Sequence, residues 1–172
     1  MNYKTKLHQI KAFVFDVDGV FTNSMVLPIP GGEFLRQHNA KDGFAVRYAS
    51  ENGYPVGIIT GGASGTIRER FNMLSITDVY LSSRDKINDF TDFCHKHHLQ
   101  PNEVLFMGDD IPDMEIMQKC GMSCCPADAV QEVKDVVDYI SNKKGGDGCV
   151  RDVVEQTLKL HDKWNKGKQY TY

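Results

Sequence analysis

A chain of 172 residues is long enough for one domain that buries most of its apolar surface, and 41% hydrophobic with 25% charged residues is ordinary for a soluble globular protein. Its 20 basic and 23 acidic residues leave a net charge of −3, without the basic excess expected of a nucleic-acid binder. No apolar run approaches the ~20 residues needed to span a bilayer, and the opening MNYKTKLHQI lacks the apolar core and small-residue cleavage site of a signal peptide.

In chain order, short apolar runs alternate with helical patterns, which predicts an α/β domain over residues 1–172 with a doubly wound, mainly parallel sheet. Ala12–Val17 reads as a buried strand. Thr22–His38 breaks the rhythm: two short extended segments flank Pro28-Ile29-Pro30-Gly31-Gly32, the composition of a β-hairpin projecting beside the first strand's end. Asp42–Asn52 is helical, with Gly53 placed to end it. Val56–Thr60 is a second strand, and Ser64 is placed to cap a helix through Leu74. Val79–Leu81 is a short strand, followed by a helix with Ile87, Phe90, Phe93 and Cys94 on one face. Val104–Met107 is a strand, with a helix expected near Pro112–Lys119. Met122–Cys125 is a weak strand, and Val130–Val137 includes a short helix. Gly145-Gly146-Asp147-Gly148 reads as a flexible break before a final helix from about Val150, and the tail after Trp164 as a frayed end or, with Tyr170–Tyr172, an interaction segment.

Cys94, Cys120, Cys124, Cys125 and Cys149 are odd in number and irregularly spaced, which describes no disulfide framework. They read as small, mostly buried residues of a protein in the reducing cytoplasm. His95, His97 and His98 cluster at a helix end, but their polar surroundings favour a solvated face over a metal site.

The chemistry concentrates where strands end. Asp16-Val17-Asp18-Gly19-Val20 places two carboxylates two residues apart, an arrangement that is unfavourable unless a proton or a divalent cation offsets their repulsion. The plainer alternative is a turn that merely ends the strand. Thr60-Gly61-Gly62 offers a hydroxyl and backbone N–H groups to a phosphate. Lys86 opens a helix after the third strand, and Gly108-Asp109-Asp110-x-x-Asp113 brings three more carboxylates to another strand end. The carboxyl ends of strands in an open α/β sheet converge on the ligand crevice, so four polar sites in this order are hard to explain as independent turns.

These four segments resemble the motifs of the haloacid dehalogenase-like (HAD) phosphatase superfamily, and the resemblance runs from about residue 10 to 155. It implies that Asp16 attacks phosphorus while Asp18 acts as general acid and then general base. By the same resemblance, Thr60, Gly61 and Lys86 hold the phosphate. Mg²⁺ would be bound by the Asp16 carboxylate, the Asp18 backbone carbonyl and Asp109, supported by Asp110 and Asp113. The intervals from Asp18 to Thr60 and from Thr60 to Lys86 are too short for a sizeable cap domain. The chain therefore resembles the capless branch typified by 3-deoxy-D-manno-octulosonate (KDO) 8-phosphate phosphatases, which serve lipopolysaccharide synthesis. Further matches are the hairpin (about 22–38), Asn39-Ala40-Lys41-Asp42-Gly43, Ser64 with Arg70, and Gly145-Gly146-x-Gly148-x-x-Arg151 in the final segment, 145–172.

That branch implies a homotetramer in which hairpins pack together and neighbouring subunits help close each site. It also makes Arg70 and Arg151 candidates for contacting an acidic substrate. Two positions depart from it: Ser82 stands where a glycine usually precedes the motif Lys, so the loop backbone is expected to differ, and Gly62 stands where the branch often carries Arg. Two alternatives remain open, a phosphatase for nine-carbon keto-deoxy sugar acid 9-phosphates and a non-catalytic phosphatase-like oligomerisation domain.

Overall fold

The computed structural model describes residues 2–166. Six strands form one parallel sheet: β1 (Ala12–Phe15), β4 (Val56–Ile59), β5 (Asp78–Tyr80), β6 (Val104–Met107), β7 (Met122–Cys125) and β8 (Tyr139–Ile140), in the order β5-β4-β1-β6-β7-β8. The hairpin strands β2 (Leu27–Ile29) and β3 (Glu33–Leu35) pair antiparallel as a separate ribbon. β1, β4, β6 and β7 are buried at every position, because helices cover both faces of the sheet.

Alternation along each strand divides the core in two. Phe13, Phe15, Leu105 and Met107 face the layer of α1 (Tyr3–Leu7), α2 (Ala40–Glu51), α3 (Gly65–Asn72) and α7 (Cys149–Leu160). Ala12, Val14, Val104 and Phe106 face α4 (Lys86–Lys96), α5 (Met114–Met117) and α6 (Gln131–Lys134). After β1 the chain runs outward through β4 and β5, then returns to β6 on β1's other side. The reversal leaves a crevice at the carboxyl ends of β1, β4 and β6, where doubly wound sheets take ligands.

The predicted α/β sheet, hairpin and principal helices are all present, and Gly53 follows the end of α2 in the left-handed region at φ 84°. Several local expectations are corrected. Ser64 stands at the N-cap of α3 but makes no capping bond, because its hydroxyl is drawn to the Glu33 carboxylate at 2.5 Å. The helix expected near Pro112–Lys119 is a 3-10 turn (Ile111–Asp113) followed by the four residues of α5. The glycine run is no flexible break. A Cβ on Gly145 would stand 2.0 Å from the Gly19 carbonyl oxygen, so only glycine lets these two backbones approach.

The segment is also bonded from α2. Asn39 Nδ2 donates to the Gly146 carbonyl at 3.1 Å, and the buried Asp42 carboxylate accepts from Gly148 N at 3.1 Å and Arg151 N at 2.7 Å. Gly148, the N-cap of α7, has no side chain, so Asp42 supplies the cap from a distant helix. Two segments read separately in the sequence are therefore one interlocking contact. Trp164 packs on Tyr48 with ring centroids 4.9 Å apart, and residues 167–172 of the tail after it, Tyr170–Tyr172 among them, lie outside the described residues. α1 and β8 were not anticipated: α1 buries one residue, Leu7, and β8 is two residues long.

Candidate active site

Each strand that reaches the crevice ends on a polar side chain. Asp16 follows β1, Thr60 follows β4, the loop after β5 leads to Lys86, and Asp109 lies just beyond β6. Together with Asp18, Gly61, Asp110 and Asp113 they line one cavity of about 480 Å³. Asp16 is held by its own N–H, which donates to the Met107 carbonyl at 3.0 Å, and Thr60 N donates likewise to Tyr80 O at 3.0 Å. Gly19, in the left-handed region at φ 87°, is where a Cβ would come within 1.9 Å of Asp109 Oδ2. A glycine there lets the two acidic segments meet.

Asp16, Asp109 and Asp113 each bring a carboxylate oxygen within 4.8 Å of the others, the one such acidic, His or Cys cluster among the described residues. Lys86 Nζ lies 2.7 Å from Asp113 Oδ1 and 3.2 Å from Asp16 Oδ1. Asp113 is fully engaged, because its Oδ2 also accepts from the backbone N–H of Asp109 at 3.1 Å and of Asp110 at 3.4 Å. Asp16 Oδ1 and Asp109 Oδ1 are different: both are buried, Asp16 Oδ1 has only the Lys86 ammonium beside it, and Asp109 Oδ1 accepts no hydrogen bond from the described residues. Burial raises the Asp16 carboxyl well above the ordinary carboxylate range, and the Asp113 charge adds to it despite Lys86. Burial, then the Asp113 and Asp110 charges, pushes Asp109 up to about 7. Lys86, which burial alone would lower, is raised because Asp16 and Asp113 outweigh that effect. Three clustered carboxylates facing one ammonium, with Asp109 Oδ1 unpartnered and Asp16 Oδ1 met only by Lys86, fit a hard divalent cation between Asp16 and Asp109.

Across the cavity, Asp18 is one-third exposed and accepts a two-pronged bond from Arg36, with Nε to Oδ1 at 2.7 Å and Nη2 to Oδ2 at 2.9 Å. Thr60 Oγ1 accepts from Gly62 N at 3.1 Å, while Ser82 N and Ser83 N donate to the Gly62 and Thr60 carbonyls. Ser82 itself adopts φ 53°, the left-handed conformation that glycine takes without penalty, so this loop keeps a glycine-like backbone with a serine.

Arg70 and Arg151 do not line this cavity. The Arg70 guanidinium lies over Gly43, where a Cβ would stand 2.8 Å from its Nη2. It also faces His38, whose imidazole is pushed down to about 4 by burial and then by Arg70 and Arg36. Arg151 is clasped between Phe44 and Trp164, with its guanidinium carbon 5.8 and 5.5 Å from the ring centroids, and pairs with Glu155 at 3.0 Å. His97 binds Asp78 at 2.7 Å, away from the cavity. Arg36, Arg84, Ser24 and Ser83 escaped the sequence reading. Arg84 and Ser83 sit within three residues of Lys86 and line the cavity with Ser24, so proximity to the motif was a usable signal. Arg36 lay in a hairpin read only for its turn residues.

Compared with known proteins, the chain is 32% identical to the 3-deoxy-D-manno-octulosonate 8-phosphate phosphatase of Salmonella typhi, over 95% of this chain and 87% of that one. The chain belongs to this phosphatase family. Residues 69–152 match the haloacid dehalogenase-like hydrolase family in which these phosphatases fall. Among solved members, the Yersinia pestis phosphatase superposes with a TM-score of 0.93 at 30% identity, covering 96% of this chain and 89% of that one. The Moraxella catarrhalis phosphatase, solved with magnesium, phosphate and KDO, gives 0.87 at 27% identity over 92% of this chain and 91% of that one. The six-stranded parallel sheet and its flanking helices are thus the family's HAD-like fold.

Proposed function

We propose that this chain is a Mg²⁺-dependent phosphomonoesterase that hydrolyses KDO 8-phosphate to KDO and phosphate, in lipopolysaccharide precursor synthesis. The observation that carries the reading is the buried carboxylate pair of Asp16 and Asp109, with Asp109 Oδ1 unpartnered and Asp16 Oδ1 met only by Lys86, lining the same cavity as Thr60 and Lys86. The substrate is that of the full-length relatives, and the Moraxella catarrhalis structure holds the product pair, KDO and phosphate.

An Asp16 oxygen attacks phosphorus as the ester P–O bond breaks, and Asp18 gives a proton to the departing sugar oxygen. Water then attacks the aspartyl phosphate, Asp18 takes the water's proton, and phosphate leaves with Asp16 regenerated. Thr60, Gly61 and Lys86 hold the phosphoryl oxygens, with Lys86 kept in place by Asp113. Mg²⁺, held by Asp16, the Asp18 backbone carbonyl and Asp109, supplies positive charge to the phosphoryl group. Arg84, exposed at the rim, is a cation for the acidic end of the substrate.

The working unit is a homotetramer. In support, the hairpin exposes Met25 by 72%, Leu27 by 61% and Leu35 by 48%, an apolar surface that another copy would cover. Arg70 and Arg151 then serve at subunit boundaries rather than within their own cavity. The compartment is the cytoplasm, in keeping with five free cysteines, and no helix among the described residues is long and apolar enough to cross a membrane.

A phosphate-release screen over KDO 8-phosphate, nine-carbon sugar-acid 9-phosphates and simple hexose phosphates, with Mg²⁺ and with chelator, tests the reading. Turnover should be highest on KDO 8-phosphate and lost with chelator. Preference for a nine-carbon substrate would reassign the substrate, and no turnover on any phosphate ester would reject the enzyme.

A further inference from the structure

Arg36 is the one guanidinium among the described residues that reaches a carboxylate of the cavity. It follows β3, at the base of the hairpin, and only 7% of its side chain is exposed. All three of its nitrogens donate: Nε and Nη2 to the two oxygens of Asp18, and Nη1 to the Phe34 carbonyl at 3.1 Å. A two-pronged guanidinium–carboxylate pair fixes the plane of the carboxylate as well as its distance. Asp18 needs that constraint, because a third of its side chain is open to the cavity mouth.

The surroundings make room for this guanidinium and brace its strand. A Cβ on Gly62 would stand 3.2 Å from Arg36 Nη2 and 2.9 Å from Ile67 Cδ1, so the bare glycine is the space into which Arg36 reaches. Two residues before the end of β3, Glu33 accepts a bond from Ser64 Oγ at 2.5 Å, tying the hairpin to the β4–α3 loop. Arg36 is therefore held between a braced strand and the carboxylate it grips.

We propose that Arg36 is the positioning residue for Asp18, reaching from the hairpin across Gly62 to hold that carboxylate toward the reacting group. This inference rests on the phosphomonoesterase reading above. Each carboxylate oxygen has two lone pairs, so Asp18 can take and return a proton on the side facing the cavity while Arg36 occupies the other. Placing an acid–base group is worth much of its effect, since small misplacements cost rate without abolishing binding. The hairpin thereby gains a direct mechanical link to the proton-transfer group.

Three variants test this in the full-length protein, with folding followed by circular dichroism and assembly by light scattering. Arg36→Met should lower kcat on KDO 8-phosphate by roughly 10- to 100-fold, less than the roughly 10²–10⁴-fold that an acid–base group itself contributes, and leave KM within about threefold. Arg36→Lys should restore little, because an ammonium cannot make the fork. Gly62→Ala, whose Cβ crowds the guanidinium, should lower kcat in the same direction by less. The decisive comparison is single-turnover hydrolysis of an aryl phosphate, whose leaving group needs no proton. There, Arg36→Met should slow breakdown of the phosphoenzyme in the wild-type background and add nothing in an Asp18→Asn background. An equal loss in both backgrounds, unchanged kcat, or a raised KM alone would overturn the proposal. Wild-type protein inactive on every phosphate ester would instead reject the underlying reading, so the two failures are distinguishable.

Discussion

The two sides of the cavity are built differently. On one side Asp16, Thr60, Lys86 and Asp109 hang from the ends of buried parallel strands, and ladder-like backbone bonds such as Asp16 N to Met107 O and Thr60 N to Tyr80 O set their spacing. On the other side Asp18 is gripped by Arg36, which directly follows a two-stranded ribbon outside the sheet; Leu27 in that ribbon and Met25 just before it are exposed. On the proposed reading, the difference teaches that the phosphate end of the pocket is fixed by the core, whereas the proton-transfer end is fixed by a peripheral element. Damage to the first should remove chemistry without touching assembly. Damage to the second should couple the two.

The largest expected effect is on the core side. Asp16→Asn should reduce kcat by at least about 10⁴-fold, as loss of a nucleophile does, while thermal unfolding stays at or above the wild-type midpoint because a costly buried charge is gone. Steady-state kinetics and calorimetry on the same preparation check both halves. Asp109→Ala should weaken Mg²⁺ activation by about tenfold or more, since a hard cation loses a charged oxygen ligand. Titration of activity against Mg²⁺ reads this directly, and an unchanged curve would remove Asp109 from the metal site.

On the hairpin side, Leu27→Lys should shift light-scattering mass from tetramer toward smaller species and lower kcat at the same protein concentration. A monomer with full activity would break the proposed coupling between ribbon and site.

Away from both sides, Asp42→Ala removes the borrowed cap of α7 and should cost about 1–2 kcal/mol. Burial raises the Asp42 carboxyl from 3.8 to about 6, so the folded state binds that proton more tightly than the unfolded chain. Its contribution to stability therefore falls as pH rises from about 4 to 6, and the penalty of the substitution should be larger at pH 4 than at pH 7. Denaturant melts at the two pH values check the sign. The smallest effect is Ser82→Gly, which relieves a left-handed serine at φ 53° and should stabilise by about 1 kcal/mol, read from the same melts.

The same contrast explains what was legible in the sequence. Continuous apolar runs such as Ala12–Phe15 and Val104–Met107 announce buried parallel strands, and a polar residue directly after the run, or one glycine beyond it, marks the crevice, so Asp16, Thr60 and Asp109 could be placed without coordinates. Contacts between distant segments carry no such period. Nothing in the spacing of Arg36 and Asp18 says that their side chains meet, and nothing local says that Asp42 caps a helix that begins at Cys149. Ser64 was legible as a cap by position, but tertiary competition from Glu33 redirected its hydroxyl. Glycines misled in the opposite direction: at Gly145 the missing Cβ serves close packing on Gly19, whereas composition alone suggests flexibility.

The central claim is that phosphate passes through a covalent bond to Asp16, and acid-quenched trapping tests it most directly. The protein would be mixed with KDO 8-phosphate and Mg²⁺, quenched during turnover, reduced with borohydride, and digested for tandem mass spectrometry. Borohydride converts an aspartyl phosphate to homoserine, so the account predicts that conversion at position 16, dependent on substrate and absent from the Asp16→Asn variant. Conversion at another carboxylate, or rapid phosphate release with none at Asp16, would contradict it.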